Sequence, residues 1–377
     1  MKLNETIIIG AGISGLACAR TLSENDEDFI IISEDIGGRI LTSQDGKVNY
    51  GAFFVCSDYY NVLRFVELKS QIRLRDFCFH EGDKTFVLFE PKILGFSLQF
   101  FKVLRMLFKF RKALRKLRKN SETISQKKAI EKDPFLYDLY IQNAADFVKK
   151  KNIESGTETY LSKGLYSTTF STINEMNAFS FLQFILPLIT PIYRFSFKKE
   201  KMIQPFRENI LTGHVDNIIY KNGLYKIKTN GNIFQSKNLV LATQIDWSKR
   251  FAVVDNSNLP VSTNMIHIKG DPKKIITRKN YQLFNPPDNI QAIANLNDGT
   301  YLLYYKEKKP LLRNFFYNPQ ILAYKYWNPA GTINGHTLIE SNRGNNMYLI
   351  GDFNIAGLEE SYITGIYAAN QIIKSKF

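Results

Sequence analysis

Residues 10–15 read Gly10-Ala11-Gly12-Ile13-Ser14-Gly15, directly after a β-branched run at 6–9 and at the start of a helix-patterned segment. A strand, a G-x-G-x-x-G turn and a helix in that order can hold a diphosphate. Gly10 permits the tight turn, Gly12 lets backbone approach the phosphates, and Gly15 lets the helix lie close on the strand. The helix N-terminus adds free N–H groups and partial positive charge. A dinucleotide fold next needs an acid at the end of its second strand for the ribose hydroxyls. At that place stands Ser33, followed by Glu34 and Asp35. Either Ser33 bonds the ribose, or the strand end is shifted and Glu34 does so, or Glu34 is a solvated turn residue.

Beyond Asp35 come Ile36-Gly37-Gly38-Arg39-Ile40 and then Asn49-Tyr50-Gly51-Ala52-Phe53. A nicotinamide enzyme has no need of Gly-Gly-Arg there. A flavoprotein has: the glycines let backbone lie along the dinucleotide, and the guanidinium gives its phosphates fixed donors. With these residues the chain resembles the flavin amine oxidase superfamily, which includes monoamine and polyamine oxidases, protoporphyrinogen oxidase and phytoene desaturases. Asn49 stands where that family has an acid, and the link from strand to Gly37 is short.

More of the resemblance follows in order. Val215 matches the valine whose backbone holds the adenine, and Leu239-Val240-Leu241-Ala242-Thr243 matches the next strand. Met347-Tyr348-Leu349-Ile350-Gly351-Asp352 is similar to the family's strand-Gly-Asp, whose carboxylate lies at the ribityl and pyrophosphate part of FAD. Gly357 to Gly365, with Glu359 and Ser361, is similar to the final helix start that faces the flavin pyrimidine, with Glu360 in place of a glycine. Trp327-Asn328-Pro329-Ala330 is similar to the segment before the last strand. The resemblance implies FAD and hydride transfer from a C–N or C–C bond, with Lys306 or Lys325 as candidates for a lysine near flavin N5; the absence of a cysteine from the C-terminal segment makes non-covalent FAD the expectation. Covalent attachment would need a cysteine or histidine near the flavin ring, and Cys56 is the near candidate. No catalytic base is identified.

These residues must be positioned by two kinds of structure. Runs at 6–9 and 29–32 around a helix predict a βαβ unit. From His214 to Ala242 the period is two, with Asn222-Gly223 and Asn230-Gly231 as hairpin turns. Residues 55–75 read as helical, 93–150 as helix-rich and basic, 262–305 as mixed strands. A last strand at 347–350 precedes a terminal helix from about Glu359. The expected fold class is α/β: a discontinuous Rossmann-like FAD-binding domain (1–75, 205–250, 330–377) and a mixed-sheet-plus-helix substrate domain (76–204, 251–329). A chain of 377 residues exceeds what one core sustains, which agrees with two domains.

Composition narrows the rest. Hydrophobic content of 44% and charged content of 23% describe a folded chain. Cys18, Cys56 and Cys78 are too few and wrongly spaced for a disulfide framework or zinc site, and His80, His214, His267 and His336 show no metal spacing, so a reduced, cytoplasmic protein without a metal is expected. The apolar run at 7–9 is too short for a signal peptide. The charge-free stretch Met176 to Tyr193 carries polar residues and two prolines, which favours a buried helix or cavity wall over a membrane span. Aromatic residues in 181–197 and 301–305 line either a pocket or a core.

The net charge is +15, and Lys102, Arg105, Lys109, Arg111, Lys112, Arg115, Lys116, Arg118 and Lys119 lie in one acid-free stretch. Phe100, Val103, Leu104, Leu107, Phe110, Leu114 and Leu117 give it an apolar stripe. This segment, 96–119, is either a surface helix packed on the insertion or an interfacial helix on an anionic membrane, making the protein peripheral. No RNA module accompanies it, and a nucleic-acid partner is not expected. A small-molecule substrate is expected, and the apolar interior leans toward a lipophilic one. The alternative function is a non-catalytic flavin-binding scaffold.

Overall fold

The computed structural model describes residues 3–255, 257–286 and 288–376. Met1, Lys2, Asn256, Pro287 and Phe377, which the expected domain ranges include, lie outside the described residues. Ile7, Ile8 and Ile9 are buried on both sides of strand Leu3–Ala11, the pattern of a central parallel strand covered on two faces. It pairs in parallel with Phe29–Ile36 and with Asn232–Leu241. The full sheet runs Ile210–Thr212, Phe29–Ile36, Leu3–Ala11, Asn232–Leu241, Leu224–Thr229, Val215–Lys221, with Met347–Leu349 also on Asn232–Leu241. The antiparallel part turns at Asn222-Gly223 and Asn230-Gly231, all four residues at positive φ, as the twist-matched hairpin turn requires.

The first helix, Ile13–Ser23, buries Leu16, Ala17, Ala19 and Leu22 against this sheet. A Cβ on Gly15 would lie 2.0 Å from the Gly10 carbonyl oxygen, so only glycine allows that approach. The C-terminal helix, Leu358–Lys374, crosses the first helix just as closely, with a Cβ on Gly365 falling 2.2 Å from the Ser14 carbonyl oxygen.

A second seven-stranded sheet runs Phe316–Asn334, Leu259–Pro272, Thr300–Tyr305, Ile290–Asn295, Tyr281–Leu283, Phe77–Glu81, Lys84–Val87. Its strands alternate: Leu302 and Tyr304 join one apolar cluster, while Tyr301, Leu303 and Tyr305 join another on the opposite face. Helices from Ser97–Asn120 to Ala178–Phe184 form a further core. Among the described residues no helix is long and apolar enough to cross a membrane. Met176 to Tyr193 instead contributes the buried helix Ala178–Phe184 and a stretch of cavity wall.

The helical expectation for 55–75 is wrong. Val55–Cys56 and Val66–Ile72 are strands that flank Ile192–Phe197 in a three-stranded sheet, and the helical pieces are two short 3₁₀ turns, Val62–Phe65 and Leu74–Asp76. Val62 and Phe65 are buried one turn apart and mimic a helix period. Strand Val66–Ile72 is exposed at most positions, so it leaves no alternating pattern to read. The strand expected from Asn238 begins at Asn232.

Candidate functional site

The loop after Leu3–Ala11 is held by three short approaches. Gly10 has φ +101°, and a Cβ there would fall 2.6 Å from the Ala242 carbonyl oxygen. A Cβ on Gly38 would lie 3.1 Å from Gly12 Cα, and the Gly37 N–H donates to the Ala11 carbonyl at 2.8 Å. Gly12 differs: its φ is −72°, and a Cβ there would meet nothing within 4 Å. The space ahead of it is a cavity of about 910 Å³ that Gly10, Ala11, Gly12, Ile13 and Ser14 line. No side chain caps the first helix at Gly12, so its N-terminal dipole faces that space uncompensated by protein. Gly15 does not line the cavity; it sits under the loop.

Ser33 and Glu34 both line the cavity but do different things. The Ser33 hydroxyl accepts the Ala11 N–H at 3.0 Å and donates to the Asp35 carbonyl at 2.7 Å, so it braces the glycine loop. The Glu34 carboxylate is two-thirds exposed and meets His214 Nδ1. His214 and Val215 line the same stretch of wall.

Arg39 and Asp352, from opposite ends of the chain, form a bidentate pair in the cavity wall: Nη1 to Oδ2 at 2.6 Å and Nη2 to Oδ1 at 2.7 Å. Asp352 is buried and also accepts the Thr332 N–H at 3.2 Å. Burial pushes its pKa up, but the Arg39 guanidinium and these hydrogen bonds pull it down further, leaving the carboxyl below its ordinary value. Burial disfavours the Arg39 cation too, and Asp352 more than compensates, so its pKa rises. Arg39 is surrounded by protein atoms yet keeps 38% of its side-chain surface open, because that surface faces the cavity. Gly51 and Ala52 line the cavity beside it, and the Ala52 N–H donates to the Arg39 carbonyl at 3.1 Å. Asn49 does not line it; its amide donates to the Phe195 carbonyl at 2.8 Å.

At the start of the C-terminal helix, Gly351, Leu358 and Ser361 line the cavity and Glu359 does not. The buried Glu359 carboxylate accepts the N–H groups of Tyr60, Asn61 and Val62 at 3.2, 3.0 and 3.0 Å, capping the 3₁₀ turn. Burial raises its pKa against those bonds. Glu360 is likewise buried and receives Arg118 Nε and Nη2 at 2.9 and 2.7 Å. One of the nine cations of the basic segment is therefore an interior partner of the C-terminal helix.

Away from the glycine loop the cavity wall becomes aromatic. Phe53, Phe54, Phe77, Phe79, Tyr160, Phe170, Phe184, Tyr281 and Tyr304 line it, with Leu74, Leu88, Leu161, Leu165, Ile185, Leu188 and Leu283. The hydroxyls of Tyr160 and Tyr304 are buried without a hydrogen-bond partner. Tyr304 stacks on Phe170 at 5.5 Å. Lys325 lines the cavity with its Nζ 5.4 Å from the Trp327 ring, whereas Lys306 does not line it. Trp327 in turn donates to the Tyr50 carbonyl at 3.1 Å. Of the aromatic positions, sequence reasoning marked only those within 181–197 and 301–305; Tyr301 to Tyr305 is apolar at every position and buried on both faces, so the run carries no signal that Tyr304 is the one that meets the cavity. Among the described residues no cluster of His, Cys, Asp and Glu could hold a metal.

With this geometry in place, comparison with known proteins gives the class. A family model for an NAD(P)-binding Rossmann-like domain matches residues 8–67. No curated protein matches the sequence. Among solved structures, the fold is similar to putrescine oxidase bound to putrescine, at TM-score 0.70, 11% identity and 99% of each chain. It is also similar to the CLA-producing fatty acid isomerase from P. acnes, at TM-score 0.68, 13% identity and 98% of each chain. Cyclohexylamine oxidase from Brevibacterium oxydans IH-35A matches at TM-score 0.62 and 13% identity, over 99% of this chain and 98% of that one. The chain thus has the flavin amine oxidase type of fold: a Rossmann-like domain carrying additional mixed sheets.

Proposed function

We propose that the protein is an oxidoreductase that binds FAD without a covalent bond and withdraws a hydride from a C–N or C–C bond of a lipophilic organic substrate. The observation that carries this reading is one continuous cavity with a glycine cradle and the Arg39–Asp352 pair at one end and an aromatic wall at the other. The cradle fits a dinucleotide: a Cβ at Gly12 would fill it, and uncapped helix N–H groups border it. The loop backbone and helix dipole would neutralise the diphosphate, while Arg39 and Asp352 would present a donor and an acceptor beside it. Glu34, free of backbone bonds, is the better ribose acceptor than Ser33, and Val215 lies beside it. When bound, the flavin supplies two-electron chemistry, accepting hydride and passing electrons to dioxygen, a quinone or another acceptor.

The chain's own side chains do the rest. The aromatic wall orients an apolar substrate and keeps water out. The carboxylates lining the cavity, Glu34, Asp35 and Asp352, belong to the loop end, among the described residues. An ammonium at the aromatic end would therefore be desolvated without a counter-charge, which favours an uncharged substrate over a diamine. Lys325 places a nitrogen donor beside Trp327. Cys56 does not line the cavity, and burial pushes its thiol up to about 12, which supports a flavin held without a covalent bond. Three buried free thiols fit a reducing compartment such as the cytoplasm.

The test is a visible spectrum of the purified protein, followed by anaerobic addition of apolar amines, isoprenoids and porphyrinogens. A flavin band that one of these bleaches supports the reading. A colourless protein refutes it, and a yellow one that no substrate bleaches leaves a flavin-binding scaffold.

A further inference from the structure

The stripe Val103, Leu107, Phe110, Leu114, Leu117 is fully occupied, packed into the helical core, so it cannot be the face that meets lipid. The opposite face is unusual. Leu98, Phe101, Arg105, Phe108, Lys112, Arg115 and Lys119 follow three-four spacing along one outer seam of helix Ser97–Asn120, and Leu94 precedes it on the 3₁₀ turn Pro91–Phe96. Leu94, Leu98, Phe101 and Phe108 are 73, 68, 65 and 59% exposed. Phe89, 68% exposed, adds to the apolar end. This surface lies directly outside the aromatic end of the cavity: Leu88 and Phe100 line the cavity, while their chain neighbours Phe89 and Phe101 face outward. Between the two stand Phe96 and Phe100, packed on Tyr160 at 5.9 and 5.8 Å.

We propose that this seam seats on an anionic bilayer and that substrate enters the cavity from the bilayer past Phe96, Phe100 and Tyr160. The proposal rests on reading the aromatic end as the site of a lipophile. Charge complementarity selects the occupant. The basic end of the seam, with Lys109 and Lys116 beside it, is exposed and suits anionic headgroups, and the apolar end suits the acyl boundary just below them. An apolar substrate is concentrated in that boundary and scarce in water.

The test uses the protein as purified, with sedimentation on phosphatidylglycerol and phosphatidylcholine vesicles and the flavin band recorded on every sample. Binding is expected on the anionic vesicles. Neutralising Lys112, Arg115 and Lys116 to Gln should weaken it about 100-fold, from roughly five-fold per charge. The triple variant L98E/F101E/F108E, all exposed positions, should abolish it without changing thermal stability. Entry is read by energy transfer from tryptophan to an anthroyl-labelled fatty acid: filling from vesicles should slow at least about ten-fold in the triple variant, one tenfold step in rate, while filling from water is unchanged. Yellow protein that ignores the vesicles overturns the proposal while leaving the cofactor reading intact. Colourless protein that binds and fills from them overturns the cofactor reading alone. Binding that survives L98E/F101E/F108E, a shift of that variant from dimer to monomer, or equal filling rates also overturns the proposal, since a nucleic acid, a second copy or solution entry would then account for the surface.

Discussion

The two ends of the cavity are built on different principles. At the glycine loop the functional atoms belong mostly to backbone, and the few side chains that matter, Ser33, Glu34, Arg39 and Asp352, each make defined polar contacts. At the aromatic end the wall is assembled from Phe53, Phe79, Tyr160, Phe170, Phe184 and Tyr304, drawn from well-separated parts of the chain. A diphosphate demands donors at fixed positions, and only a few local sequences supply them. A lipophile demands volume and dryness, which many combinations of side chains supply equally well.

Gly12→Val should break the first end most completely. Its backbone is in an ordinary region and its Cβ direction is open, so the fold should persist at near-parental Tm while the flavin band disappears. Gly10→Val is the control that separates fold from site, because positive φ and the Ala242 carbonyl at 2.6 Å should lower Tm as well. A Gly12→Val protein that keeps its band would remove the cradle from the site.

Asp352→Asn comes next. It leaves the Arg39 guanidinium without its counter-charge, but Arg39 is 38% open to the cavity, so the loss should be about 1–3 kcal/mol rather than the 3–5 of a sealed pair. The pH dependence has a fixed sign. The folded-state pKa of Asp352 is depressed, so its stabilisation is fully present above the unfolded carboxyl value near about 3.9 and drains as pH falls through the lower folded value. Denaturant melts of parent and variant should therefore differ at neutral pH and converge in acid. A gap that persists in acid would mean the pair is not what stabilises this wall.

What could be read in advance follows the same division. Gly10 to Gly15, Gly37-Gly38-Arg39 and Gly351-Asp352 stood out because tight turns and close backbone approaches leave local residue signatures, and the three segments do meet at one cavity. Val66–Ile72 was not, because its register comes from Ile192–Phe197, more than a hundred residues on, and most of its side chains are exposed. Glu359 looked like a cofactor contact from its place at a helix start, beside Glu360, which stands in place of a glycine. In the structure they point into protein, one to a 3₁₀ turn and one to Arg118. Side-chain direction at a helix N-terminus depends on what packs there, which no local motif encodes. The apolar stripe of the basic helix was visible, but sequence alone could not say which of its two faces the core would take.

Ser33→Ala and Glu34→Gln sharpen the loop end at a smaller scale. Removing the Ser33 hydroxyl deprives the buried Ala11 N–H of its acceptor and should cost about 1–3 kcal/mol, with little effect on FAD affinity once folded. Glu34→Gln should do the reverse, weakening FAD several-fold at unchanged Tm. Titration of apoprotein with FAD, set beside thermal melts, gives both quantities. The opposite assignment would make Ser33 the ribose contact.

The smallest effect is expected at the other end, from Tyr304→Phe. The Tyr304 hydroxyl is buried in the cavity wall and has no partner, and burial holds it neutral by raising its pKa. Deleting an unpaired buried hydroxyl removes a desolvation cost, so stability should rise or stay within about 1 kcal/mol. The stacking on Phe170 is kept by the new ring. A substrate carrying an oxygen would lose one hydrogen bond worth about 0.5–1.5 kcal/mol, raising KM several-fold with kcat little changed. A pure hydrocarbon would bind as well or better. Comparing an oxygen-bearing substrate with its hydrocarbon counterpart on parent and variant therefore tells whether the aromatic end recognises only shape or also one polar atom. Equal changes for both would leave it a shape-selective wall, the stronger form of the contrast with the loop end.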